Sequence, residues 1–114
     1  MTYDHSAMVA LADPTRLAVF ELVVAGPRSV AEITRSLPVS QSAVSQHLKV
    51  LREANLVRAE SIGTRNIYRL DPKGLQRMRK WLDAMWDAAL AAFAEEISNN
   101  EIIDSKEAND GSHG

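Results

Sequence analysis

Residues Ser40 to Leu51 read SQSAVSQHLKVL. Val44, Leu48 and Leu51 recur at helical spacing and share one face, and Ser40 stands where a cap would accept from a free amide of the first turn. The other face carries Gln41, Ser42, Ser45, Gln46 and Lys49. Solvent faces of small helices are commonly built from Glu and Lys. Short uncharged groups that both donate and accept suit a face that reads another molecule's hydrogen-bonding pattern. His47, at the edge of the apolar face, reads as a packed or hydrogen-bonded side chain.

Working outward, Ser29-Val-Ala-Glu32 is a capping box that opens a shorter helix, ended by Leu37-Pro38. Only Pro38-Val39-Ser40 separates the two helices. Upstream, Asp13-Pro14 pairs a cap with proline at the first helical position, and Leu17, Phe20, Glu21 and Val24 carry that helix to Gly26-Pro27. His5 to Ala12 allow one or two further helical turns. Downstream, Asn55 suits a left-handed helix end. Two alternating runs, Val57–Ser61 and Arg65–Leu70, flank Ile62-Gly63-Thr64 and predict a hairpin. Tyr68 and Leu70 fall on its inner face and Arg69 on the outer. Asp71-Pro72 launches the longest helix, expected to run to about Ile97. The polar acidic tail that follows is expected to be disordered, so the organisation reads as a folded domain over 1–97 and a tail over 98–114.

A chain of 114 residues with 46% hydrophobic content supports one compact domain. No apolar run approaches the length of a membrane span, and MTYDHSAMVALADP lacks the basic lead and apolar core of a secretion signal. Cysteine is absent, which removes disulfides, thiolate catalysis and thiolate metal sites and makes the cytoplasm the expected compartment. The formal charge of −2 conceals a strong asymmetry. Between Arg28 and Lys80 there are eleven Lys and Arg against four acids; from Ser98 onward there is one Lys against four acids. The basic middle is the footprint of a polyanionic partner. The chain offers no nucleophile–base pair, glycine-rich phosphate loop or metal cluster, so no catalytic residue, cofactor or enzymatic role is assigned.

A short capped helix, a tight connection, a helix with a polar outer face and a glycine-tipped basic hairpin form, in order, a winged helix-turn-helix. In LADPTRLAVFELV, VSQSAVSQHLKVLREANLV and GTRNIYRL the chain resembles the ArsR/SmtB family of bacterial repressors, over about Ala7 to Leu70. The expected fold is therefore mainly α, about five helices with a two-stranded wing. The expected activity is sequence-specific binding of double-stranded DNA. Gln41, Ser42, Ser45 and Gln46 are assigned to base or phosphate hydrogen bonds and Lys49 to a phosphate. Ser40 would bring the positive helix end towards the backbone. Arg65, near the wing tip, can reach a phosphate or the minor groove. A winged-helix module that binds protein instead of DNA is the alternative, and the polar reading face counts against it.

The last helix carries two apolar stripes. Leu75, Met78, Leu82, Met85, Ala89 and Ala92 form one; Trp86, Leu90, Phe93 and Ile97 form the other. One small domain cannot cover both, so Leu82, Trp86, Leu90, Phe93 and Ile97, with Tyr3, Met8 and Leu11 from the first helix, are expected to bury against a second copy. Dimerisation through the outer helices is also what the resemblance implies, and it would set two reading helices about one DNA turn apart on a palindromic operator. Metal sensing, common in the family, is not carried over. The third-helix run Ser29-Val30-Ala31-Glu32 has no thiolate, and the last helix offers Asp83, Asp87, Glu95 and Glu96 without histidine. Asp4 and His5 with carboxylates of a second copy, and His113 in addition, could form only an improvised site. An unknown small molecule, a partner protein or no effector would then tune binding.

Overall fold

In the computed structural model, residues 5 to 109 are described, with side chains to residue 100. Helices α1 (Ser6–Ala10) and α2 (Pro14–Ala25) lead into a short strand β1 (Arg28–Ser29). Helices α3 (Val30–Ser36) and α4 (Gln41–Glu53) follow, then strands β2 (Val57–Ile62) and β3 (Arg65–Leu70), and finally α5 (Pro72–Asn109). The chain divides between Trp81 and Leu82 into two units.

Local chemistry sets most of the boundaries. The Asp13 carboxylate accepts from the Arg16 amide at 3.0 Å with Pro14 at the first helical position, so α2 begins as expected. Ser29 and Glu32 close a reciprocal capping box at 3.2 and 3.0 Å. Leu37 is extended ahead of Pro38, which ends α3. Asn55 adopts φ +58°, the left-handed turn that stops α4 and redirects the chain into β2.

The core of the first unit is aliphatic. Val19, Ile33, Val44, Leu48, Leu51 and Leu56 are fully buried, with Val23 and Val57 nearly so, and Phe20, Ala7, Ala10 and Ala54 complete the cluster. Leu75, Met78, Tyr68 and Leu70 pack against its edge, the last two as the strand alternation predicts. Each fully buried aliphatic contributes roughly 1.5–3 kcal/mol, so α4 is anchored by three of the strongest contacts available to it.

Three features depart from the sequence reading. The sheet has three strands in the order β1-β3-β2, because Arg28 and Ser29 pair antiparallel with Tyr68 and Ile67. A helix-capping residue must be extended, and here that same geometry lets Ser29 join the sheet edge; a two-residue strand carries no alternation to betray it. The hairpin is longer than expected, with Ile62 paired to Arg65 and only Gly63-Thr64 in the turn. Gly63, at φ +64°, occupies the first turn position, where such a conformation is almost free for glycine. Finally, α5 continues past Ile97 to Asn109, since no proline or glycine intervenes after Gly74 until Gly111.

Gly74 has a role that the sequence reading did not assign. Its amide donates to Asn55 O at 2.8 Å, and an added Cβ would lie 2.2 Å from that same oxygen. Glycine is therefore what allows the first turn of α5 to sit on the α4–β2 turn. Asp71 N to Leu56 O, at 2.9 Å, ties the same junction.

Candidate nucleic-acid interface

Helix α4 is held by Val44, Leu48 and Leu51, all fully buried, and this fixes which side chains it presents outward. Gln41, Ser42, Ser45, Gln46 and Lys49 are all exposed, as the periodicity predicts. Among the described residues, none of the hydrogen bonds or ion pairs engages a side chain of these five. Their donors and acceptors face solvent. Ser40 is committed differently: its hydroxyl accepts from the Ala43 amide at 3.1 Å. It fixes the helix start and leaves the remaining first-turn amides pointing outward.

The wing stands beside this helix in sequence and adds charge. Arg69 is neutralised by an ion pair with Glu60 across the strands. Arg58 and Arg65 are exposed and take no ion-pair partner among the described residues. Arg65 flanks the turn instead of crowning it, and its positive charge is felt at the start of α3. The Glu32 carboxyl is held below the ordinary glutamate range, first by the Ser29 amide, then by the Ser29 hydroxyl, with Arg65 and Arg28 adding to the effect. Asp13 is likewise lowered, chiefly by the Arg16 amide, with a small contribution from half-buried His47. His47 thus packs at the edge of α4 rather than joining its outer face.

Arg35, Arg52 and Arg58 are further exposed cations that the sequence reading did not single out. Their signal was present only collectively, in the basic block. No group of three or more His, Asp or Glu able to hold a metal ion occurs among the described residues.

The residues expected at a subunit contact separate into two sets. Trp86 (63% exposed), Leu90, Phe93 and Ile97 all present apolar surface to solvent, as does Met85. Leu82 and Met8 are half-buried, and Leu11 packs partly on its own core. Tyr3 lies outside the described residues, as do Asp4 and His113.

The trihelical core, the short helix-to-helix connection and the three-stranded sheet with its two-residue turn together define a winged helix-turn-helix, the architecture of a DNA-binding regulator. Residues 13–59 match the family described as bacterial regulatory protein, arsR family. The HTH-type transcriptional regulator Rv2034 of Mycobacterium tuberculosis is 50% identical over 93 residues, 82% of this chain and 87% of that protein. A crystal structure described as a possible transcriptional regulator for arsenical resistance superposes with a TM-score of 0.65 at 38% identity, over 75% of this chain and 94% of that one. The homodimeric winged helix-turn-helix DNA-binding domain Mb0332 of Mycobacterium bovis superposes with a TM-score of 0.58 at 28% identity, over 75% and 79%. This chain belongs to the arsR family of bacterial transcriptional regulators.

Proposed function

We propose that the chain is a homodimeric repressor that occludes a promoter by reading a palindromic operator with the outer face of α4. The observation that carries this reading is the exposed row Gln41, Ser42, Ser45, Gln46 and Lys49, whose side chains take no partner among the described residues, on a helix locked from behind. Gln and Ser in the major groove match base-edge donors and acceptors, and Lys49 with Arg65 supplies phosphate contacts. Ser40 orients the helix start towards the backbone. The exposed stripe of Trp86, Leu90, Phe93 and Ile97 is the surface for the second copy, and Leu82, Met8, Leu11 and Tyr3 are assigned to the same subunit contact. Mb0332, a relative of the same fold, is homodimeric. No residue is assigned to catalysis, and no thiolate site controls binding. The proposed compartment is the cytoplasm, where a bacterial DNA-binding regulator meets its operator; among the described residues no helix is long and apolar enough to cross a membrane.

Fluorescence anisotropy with DNA from upstream of the protein's own gene, against a scrambled duplex at two salt concentrations, tests the proposal. Tight binding to the first duplex alone, unchanged by zinc, is the expected result. Equal weak binding to both would favour a protein partner.

A further inference from the structure

The outermost pair of the wing is unlike the rest of it. Ile62 faces Arg65 across the strands, and only Gly63-Thr64 lie beyond. Strand β1 pairs with β3 no further than Ile67, so the hairpin beyond that point is two-stranded and has no neighbour in its sheet. Ile67, beside β1, is half-buried, whereas Ile62 is 49% exposed. The surrounding residues Glu60, Ser61, Thr64, Arg65 and Asn66 are all polar. On the opposite face of the tip, the Ser61 hydroxyl bonds the Asn66 amide oxygen at 3.1 Å, which stiffens the pairing that presents Ile62. Scattered exposed apolar side chains are ordinary on a protein surface. This one shares its face with an arginine that has no ion-pair partner among the described residues, at the tip of the wing hairpin, and that location gives it a use.

We infer that Ile62 is a minor-groove contact. Its methyl groups pack on the deoxyribose walls while Arg65, directly opposite, takes the phosphate or groove floor. The turn delivers both together, since directly opposed strand residues keep their Cβ atoms about 5 Å apart. Apolar side chains in the minor groove favour easily widened or unstacked steps, so Ile62 would add preference in the flanks of the operator, outside the segment read by α4. This rests on the DNA-binding reading given above.

The test uses the full chain and a duplex selected from a randomised library by the wild-type protein. A second version of that duplex is trimmed to remove the outer minor-groove segments. Ile62→Ser should weaken binding to the long duplex about tenfold, the effect of removing roughly half an isoleucine's apolar contact. It should leave the trimmed duplex unaffected and the salt dependence unchanged on both. Ile62→Val should stay within about twofold of wild type. Unchanged affinity of Ile62→Ser for the long duplex would overturn the inference, and so would equal weakening on both duplexes, which would mark a loosened wing. If the library yields no preferred duplex, the DNA-reading proposal itself fails and this inference with it.

Discussion

Gly74→Ala is the substitution on which local propensity and three-dimensional packing disagree in sign. Replacing a glycine inside a helix with alanine ordinarily stabilises by about 1 kcal/mol. Here the new Cβ would meet Asn55 O at 2.2 Å, the Asn55 carbonyl carbon at 2.5 Å and Ala54 O at 2.8 Å, where ordinary contact begins at 3.4 Å. All three atoms are backbone, so no side chain can swing aside. The first turn of α5 must retreat by more than an ångström, stretching the 2.8 Å hydrogen bond from Gly74 N to Asn55 O. Overpacking costs roughly 1–3 kcal/mol and the weakened bond about 1 more, against the 1 kcal/mol of propensity. The net expectation is a loss of about 1–3 kcal/mol, or a fall in Tm of some 5–20 °C for a chain of this size. Denaturant titrations at a single protomer concentration measure it, because a dimer's stability depends on concentration. A variant as stable as wild type, or more so, would show that the junction is loose and that Gly74 does not hold the first turn of α5 against the end of α4.

Other consequences follow from the same contacts. Because the Glu32 carboxyl is lowered in the folded state, its contribution is fully present above the ordinary glutamate range and is lost as pH falls through the lowered value. Glu32→Gln should therefore flatten the acid side of the stability profile and leave the neutral side parallel to wild type, as acid titration followed by circular dichroism would record. Trp86→Ala with Phe93→Ala should raise the dimer dissociation constant roughly 100-fold, about 3 kcal/mol, read by sedimentation; an unchanged mass profile would move the subunit contact elsewhere. Lys49→Ala and Arg65→Gln should each reduce the slope of log affinity against log salt by about 0.9, whereas Gln46→Ala should not change it.

What the sequence disclosed was mostly what is local. The Asp13-Pro14 start, the Ser29–Glu32 box, the Ser40 cap and the αL turn at Asn55 each depend on residues within a few positions of one another. The division of α4 into buried and exposed faces was equally plain, because one period describes it. What escaped were contacts made at a distance. Nothing near Gly74 signals its approach to Asn55, nor does anything near Arg28 signal the pairing with Tyr68. The end of α5 is hidden for a different reason: Ser98-Asn99-Asn100 are weak helix formers, but none of them forbids the helix. In the candidate site, the exposed polar face of α4 is legible in the periodicity, while the Arg69–Glu60 pair, which leaves Arg58 and Arg65 as the wing cations without an ion pair among the described residues, needed the strand register.

The central claim is that α4 reads DNA through its outer polar face. The most direct test is the binding of the Ser45→Ala/Gln46→Ala double variant to the duplex that the wild-type protein prefers, with dimer mass measured in parallel. Both side chains are exposed and bond to nothing else among the described residues, so the fold and the dimer should be untouched. The account predicts that specific affinity falls by at least tenfold, towards the level of a scrambled duplex, with unaltered mass. Binding equal to wild type would contradict it and place the reading surface on some other part of the molecule.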